Sequence, residues 1–96
     1  MRPSAALDLR RGEVRALAER FRAANPRVFG SALNGEDLEG SDLDLLVDPL
    51  PGATLFDLGG LQVALEELLG VEVDLLTPGD LPVSFRQQIL REARPV

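Results

Sequence analysis

The chain has 96 residues with sixteen acidic side chains against ten basic ones, all arginine, for a net charge of −6. That length suits one domain spanning residues 1–96, and the lack of cysteine and histidine excludes disulfides, thiol nucleophiles, thiolate zinc sites and the usual general base. The start, "MRPSAALDLRR", lacks the apolar core of a signal peptide, and no apolar run nears the ~20 residues needed to cross a bilayer, so a cytoplasmic protein without membrane contact is expected.

From Leu9 to Ala24, Val14, Leu17, Ala18 and Phe21 follow helical spacing, which predicts an amphipathic helix ended by Asn25-Pro26. "RVFG" (Arg27–Gly30) then reads as a short strand, and "SALNGEDLEGS" as a glycine-punctuated connection whose first residues form one helical turn. "DLDLLV" (Asp42–Val47) is a second strand, stopped at Asp48-Pro49. Thr54 with Asp57 makes a capping box for a helix carrying Leu58, Leu61, Leu65 and Leu68 toward the core and ending at Gly70. "VEVDLL" (Val71–Leu76) alternates as a third strand. The last segment, Pro82–Arg94, places Val83, Ile89, Leu90 and Ala93 on one helical stripe. The order predicts a small α/β (α+β) domain with a mixed sheet of about three strands flanked by helices, and no internal repeat.

Charge is uneven along this order. Val28 to Phe85 holds twelve acidic residues and no basic one, while the flanks hold ten arginines and four acids. Such an island repels a nucleic-acid backbone, so direct nucleic-acid binding is not expected. Glu36, Asp37 and Glu39 read as a solvated loop. Asp42 and Asp44 are different, because residues two apart on a strand project to one face. Asp74 points away from Val71, Val73 and Leu75 and joins that pair if the third strand lies beside the second. Three such carboxylates repel one another unless a cation holds them. Taken alone, each is equally a solvated strand edge. Together they form an oxygen-only donor set suited to Mg²⁺ or Mn²⁺, ions shared with substrate phosphates in phosphoryl or nucleotidyl transfer. The residues after Asp44 exclude an EF-hand, and the lack of Gly-Lys-[Ser/Thr] excludes a P-loop. Gly30-Ser31 closes the first strand, where a glycine lets backbone approach a phosphate and the serine offers two donors. Gly30-Ser31 and Asp42 share one end of the sheet if the first two strands are antiparallel.

Gly30-Ser31, ten residues, then Asp42-x-Asp44 resembles the GS-x₁₀-D-x-D signature of the DNA polymerase β-like nucleotidyltransferases. "SDLDLLV" with the later "VEVDLL", and the span from leading helix to terminal "ILREARPV", resemble the minimal nucleotidyltransferases among them, the MntA-type antitoxins. The resemblance implies the polymerase β-like fold and a Mg²⁺-dependent protein adenylyltransferase. It would transfer AMP from ATP to a tyrosine of a HEPN-domain toxin encoded nearby, in a hetero-oligomer. Asp42 and Asp44 would bind two metal ions, Asp74 would bind one and help deprotonate the acceptor, and Gly30 and Ser31 would hold the nucleotide phosphates. Many relatives read Gly-Ser-Arg-Ala-Arg-Gly where this chain has Gly30-Ser31-Ala32-Leu33-Asn34-Gly35. Charge neutralisation then falls to the metals, or to Arg86, Arg91 or Arg94 folding back. The alternative is an antitoxin whose catalysis has weakened and which neutralises by binding alone. Transfer to a small molecule is a third reading, disfavoured because the chain has no room for an acceptor-binding domain. There is no tyrosine, so a tyrosine acceptor must lie on another chain.

Overall fold

Two short helices open the chain in place of the single helix expected over Leu9–Ala24: α1 (Pro3–Leu9) and α2 (Arg11–Arg20). The computed structural model describes all 96 residues. Pro3 suits the first turn of α1, where a backbone donor would have no helical partner. The helix breaks at Arg10, whose backbone leaves helical values (φ −132°, ψ 21°). Helix α2 buries Val14 and Ala18 and ends where Arg22 turns left-handed (φ 60°), so the chain is already extended at Ala23.

Strand β1 (Ala23–Phe29) therefore starts earlier than expected and carries Asn25-Pro26 inside it. The register with its neighbour slips between Ala24 and Arg27, where Asn25 has φ 53°. A bulge of this kind lets a strand absorb residues that would otherwise stop it. A five-residue 3₁₀ turn (Gly30–Asn34) follows, then β2 (Leu43–Pro49). Helix α3 (Leu55–Leu69) has the Thr54–Asp57 capping box and a left-handed Gly70 at its end, as the sequence predicts. Strand β3 (Val73–Leu76), a 3₁₀ turn (Pro78–Asp80), α4 (Val83–Glu92) and the two-residue β4 (Arg94–Pro95) complete the chain.

The sheet has four strands in the order β3-β2-β1-β4. Strand β1 is antiparallel to both its neighbours, and β2 and β3 are parallel, joined through α3. Leu43, Leu45 and Val47 of β2 enter one core with Leu7, Val14, Val28, Leu61, Leu65 and Val73. Leu58 and Leu68 are only partly buried against it. Gly60 explains part of the glycine pair in α3, since a Cβ there would lie 2.7 Å from the Phe21 ring, whereas one at Gly59 would meet nothing. The stripe expected on the last helix is not buried: Val83 is 80% exposed, and no α4 residue is fully enclosed.

Candidate active site

Alternation on β2 positions the central residue. With Leu43, Leu45 and Val47 turned into the core, Asp44 and Asp48 lie on the opposite face. Asp44 pairs in register with Phe29 on one side and Asp74 on the other. Because β1 is antiparallel to β2, Phe29 delivers Gly30-Ser31 beside Asp44, and because β3 is parallel to β2, Asp74 starts at the same end. Asp42 differs from the expectation: β2 begins at Leu43, so Asp42 is an exposed residue of the connection rather than of the strand. Likewise β3 begins at Val73, leaving Val71 and Glu72 outside it.

Gly30 has φ 74°, and a Cβ at this position would collide with the Asp44 carboxylate. A glycine is thus demanded twice, by backbone conformation and by contact. Ser31 is half-buried at the second position of the 3₁₀ turn, and Ala32 packs inward to the core.

Asp44 is half-buried and its carboxyl is raised above the usual carboxylate range, first by burial and then by the Asp74 and Asp42 carboxylates. The last two causes show that both neighbouring carboxylates act on Asp44. The three are not drawn into a closed cluster of three ligands. Mg²⁺ does not require one, since it is commonly held by one or two carboxylates together with substrate phosphates. An oxygen-only donor set at an open sheet end, with a carboxylate burdened by like charge, fits such an ion.

Asp48 shows the contrasting arrangement on the same strand face. Arg27, with its side chain 11% exposed, donates two hydrogen bonds of 3.0 Å to its two oxygens, so this carboxylate is neutralised. Asp44 has no such arginine. Arg86 is not available to it, because its guanidinium donates to the carbonyls of Leu81 and Gly79 beyond the far end of β3.

Asp37 corrects the reading of Glu36–Glu39 as a solvated loop. It is 1% exposed, and its Oδ2 accepts from the Ser4 backbone N–H at 2.7 Å, in the first turn of α1. Burial alone would push its carboxyl up, but the Ser4 N–H and hydroxyl, with the Arg2 charge, bring it below the usual range. No signal near Asp37 marks this tie, because its partner lies 33 residues away in a helix the sequence did not predict.

The comparisons with known proteins agree with this geometry. The family model for a nucleotidyltransferase domain matches residues 13–96. A solved structure described as a minimal nucleotidyltransferase superposes with a TM-score of 0.87 at 47% identity, covering 97% of this chain and 95% of that one. The protein adenylyltransferase MntA of Thermococcus cleftensis is 41% identical over 76 residues, 79% of this chain and 77% of its own length. A toxin–antitoxin crystal structure with AMP-PNP shares the fold at 20% identity, with a TM-score of 0.72 over 88% of this chain and 69% of that one. A four-stranded sheet that sets Gly30-Ser31 beside Asp44 and Asp74, matched along most of its length by these relatives, places the chain in the nucleotidyltransferase domain family, as a minimal, MntA-type member with the polymerase β-like fold.

Proposed function

We propose that this protein is an antitoxin that transfers AMP from ATP to a tyrosine of a cognate HEPN-type toxin. The observation that carries the reading is Asp44: a half-buried carboxylate beside Asp74 and Asp42, set against Gly30, where its own carboxylate leaves no room for a side chain. Names among the relatives support it, since one is a protein adenylyltransferase and a fold neighbour is a toxin–antitoxin complex with AMP-PNP.

Asp42, Asp44 and Asp74 would hold Mg²⁺ or Mn²⁺, which when bound stabilises charge on the transferring phosphate and eases ionisation of the attacking hydroxyl. The bare Gly30 backbone leaves room for the Asp44 carboxylate against the turn, and the Ser31 N–H and hydroxyl would donate to the oxygens of a phosphate held there by the metal. Asp74, exposed on its strand, would take the acceptor proton. The tyrosine oxygen forms its bond to the α-phosphorus, the bond from that phosphorus to the bridging oxygen breaks, and pyrophosphate leaves. The acceptor comes from another chain, as this one has no tyrosine.

Intact-mass measurement of the toxin encoded beside this gene, after incubation with the protein, MgCl₂ and ATP, tests the reading. An increment of one or more AMP units, absent with Asp42→Asn/Asp44→Asn, is the expected result. An unchanged toxin mass within a tight complex would overturn the enzyme reading. It would favour neutralisation by binding alone, in which the double variant still protects cells. The lack of any basic residue from Val28 to Phe85 is what keeps that second reading in view.

A further inference from the structure

Two adjoining cavities of about 350 and 390 Å³ flank the Gly30–Asn34 turn, and Leu33 and Arg94 line both. The first brings three guanidinium groups to its wall, from Arg2, Arg11 and Arg94. Arg11 is committed to Asp8 at 2.8 Å and reaches the Pro95 carbonyl. Arg2 lies within 3.4 Å of the Ser4 hydroxyl and is drawn toward Asp37. Arg94 is exposed and engages no carboxylate or carbonyl, whereas Arg10, Arg11 and Arg27 are ion-paired and Arg15 and Arg86 are held by backbone oxygens.

Its position follows from the register. Strand β4 pairs with β1 so that Arg94 shares the core-side face of the sheet with Val28, opposite the face that carries Asp44, and the Gly30–Asn34 turn links the two, with Gly30 against Asp44 and Asn34 beside Arg94. Asn34, the last residue of the turn, shares the second cavity with Arg94. Five residues of 3₁₀ turn span about 8 Å, a distance that an extended triphosphate tail can follow. A triphosphate brought to Asp44 would find no cationic side chain in the stretch from Val28 to Phe85, which holds no basic residue.

We propose that Arg94 binds the terminal phosphates of the nucleoside triphosphate, so that the polyphosphate tail lies along the Gly30–Asn34 turn from Asp44 to the C-terminal strand. The inference rests on the nucleotidyl-transfer reading for the placement of the α-phosphate at Asp44. The planar guanidinium suits two phosphate oxygens at once, and it would also hold the pyrophosphate as it leaves. Glu92 works against it from the wall of the second cavity, with one oxygen accepting from Gln88 at 3.1 Å.

The test compares ATP and AMP affinities of the full chain by calorimetry in the presence of MgCl₂. Arg94→Gln should weaken ATP about ten- to a hundredfold, the worth of one charge-assisted hydrogen-bonded contact, and leave AMP unchanged. Arg94→Lys should recover part of the loss. Glu92→Gln should tighten ATP, and inorganic tripolyphosphate should compete with ATP on the parent protein but weakly on Arg94→Gln. An ATP-to-AMP affinity ratio identical in parent and Arg94→Gln would overturn the proposal, as would a parent protein that binds no ATP. Selective loss of ATP affinity in a protein that never modifies the toxin would uphold the phosphate site and sink the transfer reading instead.

Discussion

Asp37 and Asp44 lie seven positions apart in one acidic stretch, yet the fold treats them oppositely. In the connection after the 3₁₀ turn, Asp37 is enclosed, accepts from the Ser4 N–H and has its carboxyl lowered. On β2, Asp44 is half-buried among like charges and has its carboxyl raised. A carboxylate given donors consolidates the structure, whereas one surrounded by other carboxylates costs it stability. Equal formal charge therefore says little about role, and the hydrogen-bond donors within reach decide it.

Removing the two carboxylates separately sharpens the comparison. Asp37→Ala takes away the acceptor for the first turn of α1 and should destabilise the protein by about 1–3 kcal/mol, a shift of several degrees or more in Tm for a chain this size. Scanning calorimetry reads it, and a change within error would show that the tie to Ser4 contributes nothing. The toxin modification proposed above, measured well below Tm, should survive this substitution.

The pH dependence should separate the pair next. Asp37 is lowered from 3.8, so its stabilisation is fully present above pH 3.8 and disappears as pH falls through its lower folded value. Asp44 is raised from 3.8, so its cost to stability sets in as pH rises from 3.8 through its higher folded value. In EDTA, the stability gap between parent and Asp37→Asn should close in acid. The advantage of Asp44→Asn over the parent should instead grow from about pH 4 upward. Denaturant titrations across pH 3–7 that gave the two variants the same trend would break the comparison.

The smallest effect should be that of Asp44→Asn itself at neutral pH without metal, a gain of less than about 1 kcal/mol because the site is open to solvent. Thermal melts in EDTA check its sign. A loss of stability would mean that the Asp44 carboxylate makes favourable contacts that outweigh its repulsion by Asp42 and Asp74.

Local signals carried much of the architecture. Thr54 with Asp57, the leucine spacing and Gly70 defined α3 because capping and periodicity are read within one element. Alternation likewise separated Asp44 and Asp74 from the core leucines. The misreadings occurred where distant contacts overrode local preference. Asn25-Pro26 reads as a stop, yet pairing of Ala23 with Pro49 and of Arg27 with Leu46 carries β1 past it as a bulge. The apolar spacing of the last helix implied a buried face, but Val83 and Phe85 remain exposed at its start. Asp37 looked solvated because its partner, Ser4, is 33 residues away.

By itself the sequence determined the charge island, the Gly30-Ser31 to Asp42-x-Asp44 spacing and the face on which Asp44 projects, all properties of residue type and strand period. Tertiary structure decided which strands adjoin, and with it the pairing of Asp44 with Asp74, the collision that reserves Gly30, and the arrival of Arg94 beside the turn. The reason is range: periodicity sets the direction of a side chain, whereas repulsion and hydrogen bonding depend on neighbours that only chain closure supplies.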